Sequence, residues 1–112
     1  MDNVALQPKV TIGDNIFIWG GVMLGHHSTI ENHCWLTGGC LIGGSVTIGK
    51  QTFVGIGAIV AQEVKIGERC VLGASTFITK DIVNDTVLIS PATEKFRLNS
   101  KQFVKMSSLF RS

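Results

Sequence analysis

Ile42-Gly43-Gly44-Ser45-Val46-Thr47-Ile48-Gly49-Lys50-Gln51-Thr52-Phe53-Val54-Gly55 is the stretch that decides the fold. Ile42, Ile48 and Val54 recur every six residues. A glycine follows each of them, and Val46 and Thr52 stand four residues further on. Stepping by six in both directions extends the series from Leu6 through Ile12, Ile18, Leu24, Ile30 and Leu36, and onward through Val60, Ile66 and Leu72 to Ile78. Every residue of that series is Leu, Ile or Val. The position four further on is small or β-branched almost throughout, as at Val22, Ser28, Cys34, Cys40, Ala58, Cys70 and Thr76. Such a period is the sequence signature of a solenoid.

Two inward positions in six residues make a short strand, and the two residues between strands form a turn. Type II turns need a residue of positive φ at their second position. Asn15, Gly21, His27, His33, Gly39 and Gly57 fall there. Three strands close one triangular coil of about 18 residues, and coils stack at about 4.8 Å. The expectation is an all-β chain, a left-handed parallel β-helix of hexapeptide repeats over residues 6–83. A C-terminal tail over residues 84–112 follows. In that tail Val87-Leu88-Ile89 reads as one more strand, and Asn99 or Ser100 caps a short helix carrying Phe103, Val104, Met106 and Phe110.

Composition narrows the function. The chain has 112 residues, 45% of them hydrophobic and 16% charged, with a formal net charge of +2. So small a charge argues against a nucleic-acid or anionic-membrane partner, and no apolar run is long enough to span a bilayer. Cys34, Cys40 and Cys70 all take the small inward position and read as buried structural thiols, not zinc ligands. Three cysteines without a disulfide pattern suggest a reducing, cytoplasmic setting.

The 18-residue coil sorts the turns into three edges. The first carries Pro8-Lys9, His26-His27, Gly44-Ser45, Gln62-Glu63 and Lys80-Asp81. The second carries Asp14-Asn15, Asn32-His33, Lys50-Gln51 and Glu68-Arg69. The third carries Gly20-Gly21, Gly38-Gly39, Ile56-Gly57 and Ala74-Ser75. The second edge is polar, as a solvated edge should be. The third is smooth and nearly uncharged, and Ile56 there points to contact with a subunit or an elongated ligand. The first edge holds the chemistry. His26 supplies a general base, and the Gly44 amide one coil above supplies a donor for a developing oxyanion. His26, Gly44, Gln62 and Lys80 form a column about 14 Å long. His33 falls on the polar edge, away from His26.

The segment Ile18 to Trp35, above all Gly25-His26-His27-Ser28-Thr29-Ile30, resembles the hexapeptide-repeat acetyltransferases. The likeness is to the branch of sialic-acid O-acetyltransferase-like and bacillosamine N-acetyltransferase-like sugar enzymes, and it covers Leu6 to Ala92. The resemblance implies a homotrimer with acetyl-CoA in a groove between subunits and a sugar or nucleotide-sugar acceptor. His26 would be the base and Gly44 N–H the donor to the thioester carbonyl, while Ile56 and Ala74 would line the cosubstrate. The groove would form where the first edge of one subunit meets the third edge of the next. Three features depart from the family. Gly25 stands where some relatives carry a carboxylate that orients the base. Ile89-Ser90-Pro91-Ala92-Thr93 replaces the family's terminal Gly-x-Pro-Ala-basic motif. The first coil starts almost at the first residue, so the relatives' N-terminal sugar-nucleotide domain is expected to be missing. Two other readings remain open. One is a non-catalytic trimer-forming module left after loss of the acceptor domain. The other is a zinc lyase of the carbonic anhydrase type, pooling His26, His27 and His33 from two subunits.

Overall fold

A computed structural model describes residues 4–107. Two-residue strands, from Ala5–Leu6 to Val87–Leu88, pair in parallel into three sheets that close a left-handed β-helix. The register is 18 residues through the body of the helix, as in Leu24 beside Ile42 and Ile30 beside Ile48. The strands are short because each ends at a corner. Along them one side chain points in and the next points out. Leu24, Ile30, Leu36, Ile42, Ile48, Val54, Val60 and Leu72 fill the interior and are fully buried, with Val22, Cys34, Val46 and Cys70 between them. Leu6 and Ile12 carry the same pattern yet are 54% and 37% exposed, since they belong to the first coil and have no described coil beneath them.

The outward positions give each sheet its own character. The first sheet presents Ala5, Met23, Leu41, Ile59 and Phe77. The second presents Thr11, Thr29, Thr47 and Lys65. The third presents Phe17, Trp35, Phe53, Val71 and Val87. On the third sheet Phe17 and Trp35 stack at 4.3 Å between ring centroids, and Trp35 and Phe53 at 6.5 Å. The third edge joins the two apolar sheets. The first edge joins the first sheet to the polar second one.

The last coil is shorter than the rest. Ile82 bridges to Ile66, and Leu88 pairs with Leu72, a register of 16 residues. The two lost residues come from the corner after Ile78, which still pairs with Val60 in the 18-residue register. The Asp81 carboxylate accepts the Lys65 N–H at 2.9 Å in place of the backbone bond that joins neighbouring coils elsewhere in that sheet. The strand expected at Val87-Leu88-Ile89 forms over Val87–Leu88.

A helix spans Ser100–Ser107. Asn99 caps it: its side-chain oxygen accepts the Gln102 N–H at 2.9 Å, and the Gln102 side chain accepts the Asn99 N–H at 3.0 Å. That reciprocal pair is a capping box. Phe103 packs edge-on against Phe96. Phe110, expected on the same helix, lies outside the described residues. Among the described residues the helix packs on none of the strands.

Candidate active site

The first edge is built by stacking one turn on the next. His27 takes the second turn position with φ +59° and donates its N–H to Pro8 O at 3.2 Å. His26 donates its N–H to the Gln7 side-chain oxygen at 2.9 Å, and its carbonyl accepts from Ser45 N–H at 2.8 Å. The backbone around His26 is therefore tied to the coils on both sides. Its ring is exposed and lies over Gly44. A Cβ added at Gly44 would stand 2.7 Å from His26 Nε2 and 2.8 Å from Cε1. A side chain at residue 44 would push the imidazole from the place it now takes. Gly44 O accepts from Glu63 N–H at 2.9 Å, while Gly44 N–H meets no protein acceptor among the described residues. The arrangement pairs a titratable ring with an unused amide donor.

A second contact was not legible from the sequence. His26 Nδ1 and His27 Nδ1 are 3.1 Å apart, with the rings nearly perpendicular. The space for a side chain just before His26 is closed. A Cβ at Gly25 would come within 2.5 Å of Gly43 C and Gly44 N. The backbone of the next coil occupies the room an acidic side chain would need. The one sequence signal for the imidazole pair was the adjacency of the two histidines.

The other expected residues fall into three groups. Gln62 keeps its turn position above Gly44, through the Glu63 N–H bond to Gly44 O. Lys80 sits in the corner that lost two residues, and the turn bond from Glu63 N–H to Gly44 O is not repeated above Gln62 among the described residues. Ile56, 61% exposed, and Ala74 share the third edge, where Ser75 N–H bonds Ile56 O at 2.9 Å. His26 and Ile56 thus border the first sheet from opposite sides, and one chain alone does not bring them together.

His33 lies on the second edge and accepts from Asn15 Nδ2 at 3.0 Å. That edge is solvated and ion-paired, with Arg69 binding Asp85 at 2.7 Å and Glu68 at 3.2 Å. A shallow depression lined by Thr11, Thr29, Glu31, Asn32, Lys50 and Glu68 lies on this polar side, away from His26. Cys34, Cys40 and Cys70 are free and buried. Burial raises the Cys34 thiol and pushes Cys40 up to about 11, which keeps both protonated and unreactive. Among the described residues no three His, Cys, Asp or Glu side chains gather as a metal site. No helix among them is long and apolar enough to cross a membrane.

Comparison with known proteins agrees with this architecture. Residues 45–80 match the family described as bacterial transferase hexapeptide (six repeats). No curated protein matches the chain in sequence. Solved structures do match in fold. A perosamine N-acetyltransferase variant from Caulobacter crescentus, in complex with CoA and GDP-perosamine, is 23% identical with a TM-score of 0.62, over 84% of this chain and 54% of that one. Serine acetyltransferase from Neisseria gonorrhoeae is 22% identical with a TM-score of 0.73, over 81% and 41%. A hexapeptide-repeat acetyltransferase from Vibrio cholerae, complexed with acetyl-CoA, is 18% identical with a TM-score of 0.66, over 75% and 58%. The chain spans about half the length of these proteins. It carries the bacterial transferase hexapeptide repeat, folded as the β-helix that these acetyltransferases share.

Proposed function

We propose that this chain is an acetyl-CoA-dependent acetyltransferase that works as a homotrimer in the cytoplasm and acetylates an amino or hydroxyl group of a sugar or nucleotide-sugar. The observation that carries the reading is the His26 imidazole lying over Gly44, beside an amide N–H that no group among the described residues accepts. The matched structures support the chemistry, since two of them hold CoA or acetyl-CoA and one holds an amino-sugar nucleotide. The three free, buried thiols suit a reducing compartment.

Each residue then has a role. Gly44 N–H donates to the thioester carbonyl and stabilises the charge that grows on its oxygen. His26 Nε2 accepts a proton from the acceptor amine or hydroxyl as that atom attacks the carbonyl carbon. As the carbon–sulfur bond breaks, His26 returns the proton to the departing sulfur. No covalent enzyme intermediate forms, so both substrates must be bound together. Gln62, Ile56 and Ala74 line the cosubstrate. Lys80, in the shortened last corner, reaches toward its phosphates.

The trimer reading gains from the outward residues. A ring in which each first edge meets the neighbour's third edge turns the sheet between those edges toward the three-fold axis. That is the first sheet, and its outward side chains are Ala5, Met23, Leu41, Ile59 and Phe77. Four of these are large apolar groups left in water in the single chain. The same ring brings His26 of one subunit to the third edge of the next, where Ile56 and Ala74 stand.

The test is His26→Ala. Acetyl transfer should fall by about 10²–10⁴-fold, the usual contribution of a general base, while acetyl-CoA affinity stays within a few fold. Full activity in the variant would exclude the role. An acceptor panel of amino sugars, sialic acids and their nucleotide-linked forms should show which acceptor this chain uses. Efficient turnover of a single acceptor would mean that the groove is already a complete acceptor site.

A further inference from the structure

We propose that His27 is the positioning residue for His26, doing with a neutral imidazole what a carboxylate does where one is available. The inference rests on the reading of His26 as general base. It stands on three observations: the Nδ1–Nδ1 contact of 3.1 Å, the closed space at Gly25, and the positive φ of His27.

A contact between two imidazole nitrogens holds one proton, so one ring donates and the other accepts. His26 serves as a base at Nε2 only if that nitrogen keeps its lone pair, and its proton then sits on Nδ1. His26 Nδ1–H therefore donates to His27 Nδ1, and His27 carries its own proton on Nε2. The hydrogen bond made by one ring nitrogen sets the state of the other. When His26 takes the acceptor's proton at Nε2, the Nδ1–H stays in place and its bond to His27 strengthens as the ring becomes cationic. The Nε2 proton then leaves to the sulfur, and the pair returns to its starting state.

The geometry explains why the partner is residue 27. Residue 25 has no room for a side chain against the next coil. Position 27 has φ +59°, a conformation that histidine and asparagine adopt more readily than most side chains. That turn leaves the two rings edge to face, with a 5.3 Å centroid separation. The partner is uncharged, so the pair adds no net charge to the groove while His26 is neutral.

Two variants separate positioning from mere support of the turn. His27→Gly keeps the positive φ and loses the acceptor. His27→Asn also tolerates that φ and returns an oxygen near the place of Nδ1. Nitrogen-15 NMR of histidine-labelled full chain reads the tautomer of His26 without any turnover. In the native protein and His27→Asn, His26 should carry its proton on Nδ1; in His27→Gly it should not. Thiol release from acetyl-CoA, with water or GDP-perosamine as acceptor, should show kcat falling by about 10- to 100-fold in His27→Gly, KM for acetyl-CoA holding within about threefold, and most of kcat returning in His27→Asn. An unchanged His26 tautomer in His27→Gly, or no rescue by asparagine, would overturn the proposal. The tautomer pattern without thiol release from the native chain would support the pair and count against the acetyltransferase reading instead.

Discussion

The first and second sheets are made by the same repeat, yet their outer surfaces are opposites. Inside, both bury aliphatic columns: Leu24, Ile42 and Val60 in one, Ile30, Ile48 and Ile66 in the other. Outside, the first shows Met23, Leu41, Ile59 and Phe77 where the second shows Thr29, Thr47 and Lys65. Folding the chain asks for the inner column only. The outer column is free to suit whatever each sheet meets, so the contrast reports on partners and not on stability. A threonine column fits a β-surface in water. An aliphatic and aromatic column in the same place fits a neighbouring subunit.

The strongest way to break this comparison is to place a charge on each sheet. Ile59→Glu should convert the trimer to monomer by light scattering at micromolar concentration, because a carboxylate would be buried without a partner. Thr47→Glu should leave the trimer intact. Equal behaviour of the two variants would remove the basis for the contrast, and a stable native monomer would remove the trimer itself. Ile56→Glu comes next. It lies on the third edge, at the border of the first sheet, and should cost acetyl-CoA binding, assembly or both; no change in either would sink the groove. The smallest effect belongs to the solvated second edge. The Arg69 guanidinium holds the Asp85 carboxyl below the usual carboxylate range. That pair adds stability above the unfolded carboxylate pKa and loses it as pH falls through the lowered folded value. Asp85→Asn should slightly flatten the acid limb of thermal stability against pH and leave assembly unchanged. An altered assembly state would mean that the second edge is not a free edge.

The repeat was readable because an aliphatic at every sixth residue, unbroken from Leu6 to Ile78, matches stacked coils and not the 3.6-residue period of a helix. The coil, the edges and the burial of Cys34, Cys40 and Cys70 followed from it. A cap at Asn99 or Ser100 was readable from local chemistry, and the hydrogen bonds select Asn99. The outer columns were also present in the sequence, but only when the residue before each aliphatic is read at a period of 18; Met23, Leu41 and Ile59 are not adjacent in any shorter window. The shortening of the last corner was not readable by stepping in sixes. Ile82 reaches the inward place beside Ile66 four residues after Ile78, and the shortening shows only in the hydrogen bonds of that corner. The His26–His27 contact depends on side-chain rotamers, which no spacing rule encodes. The steric need for glycine at residue 25 is likewise a property of stacked coils, visible once the next coil is in place.

The most direct test of the whole account is a crystal structure of the chain grown with acetyl-CoA. The account predicts acetyl-CoA between two chains, running from the first edge of one to the third edge of the other, with its thioester oxygen within hydrogen-bond reach of Gly44 N–H and its carbonyl carbon beside His26. Acetyl-CoA bound within a single chain away from His26, or a trimer whose first sheet faces solvent, would contradict it.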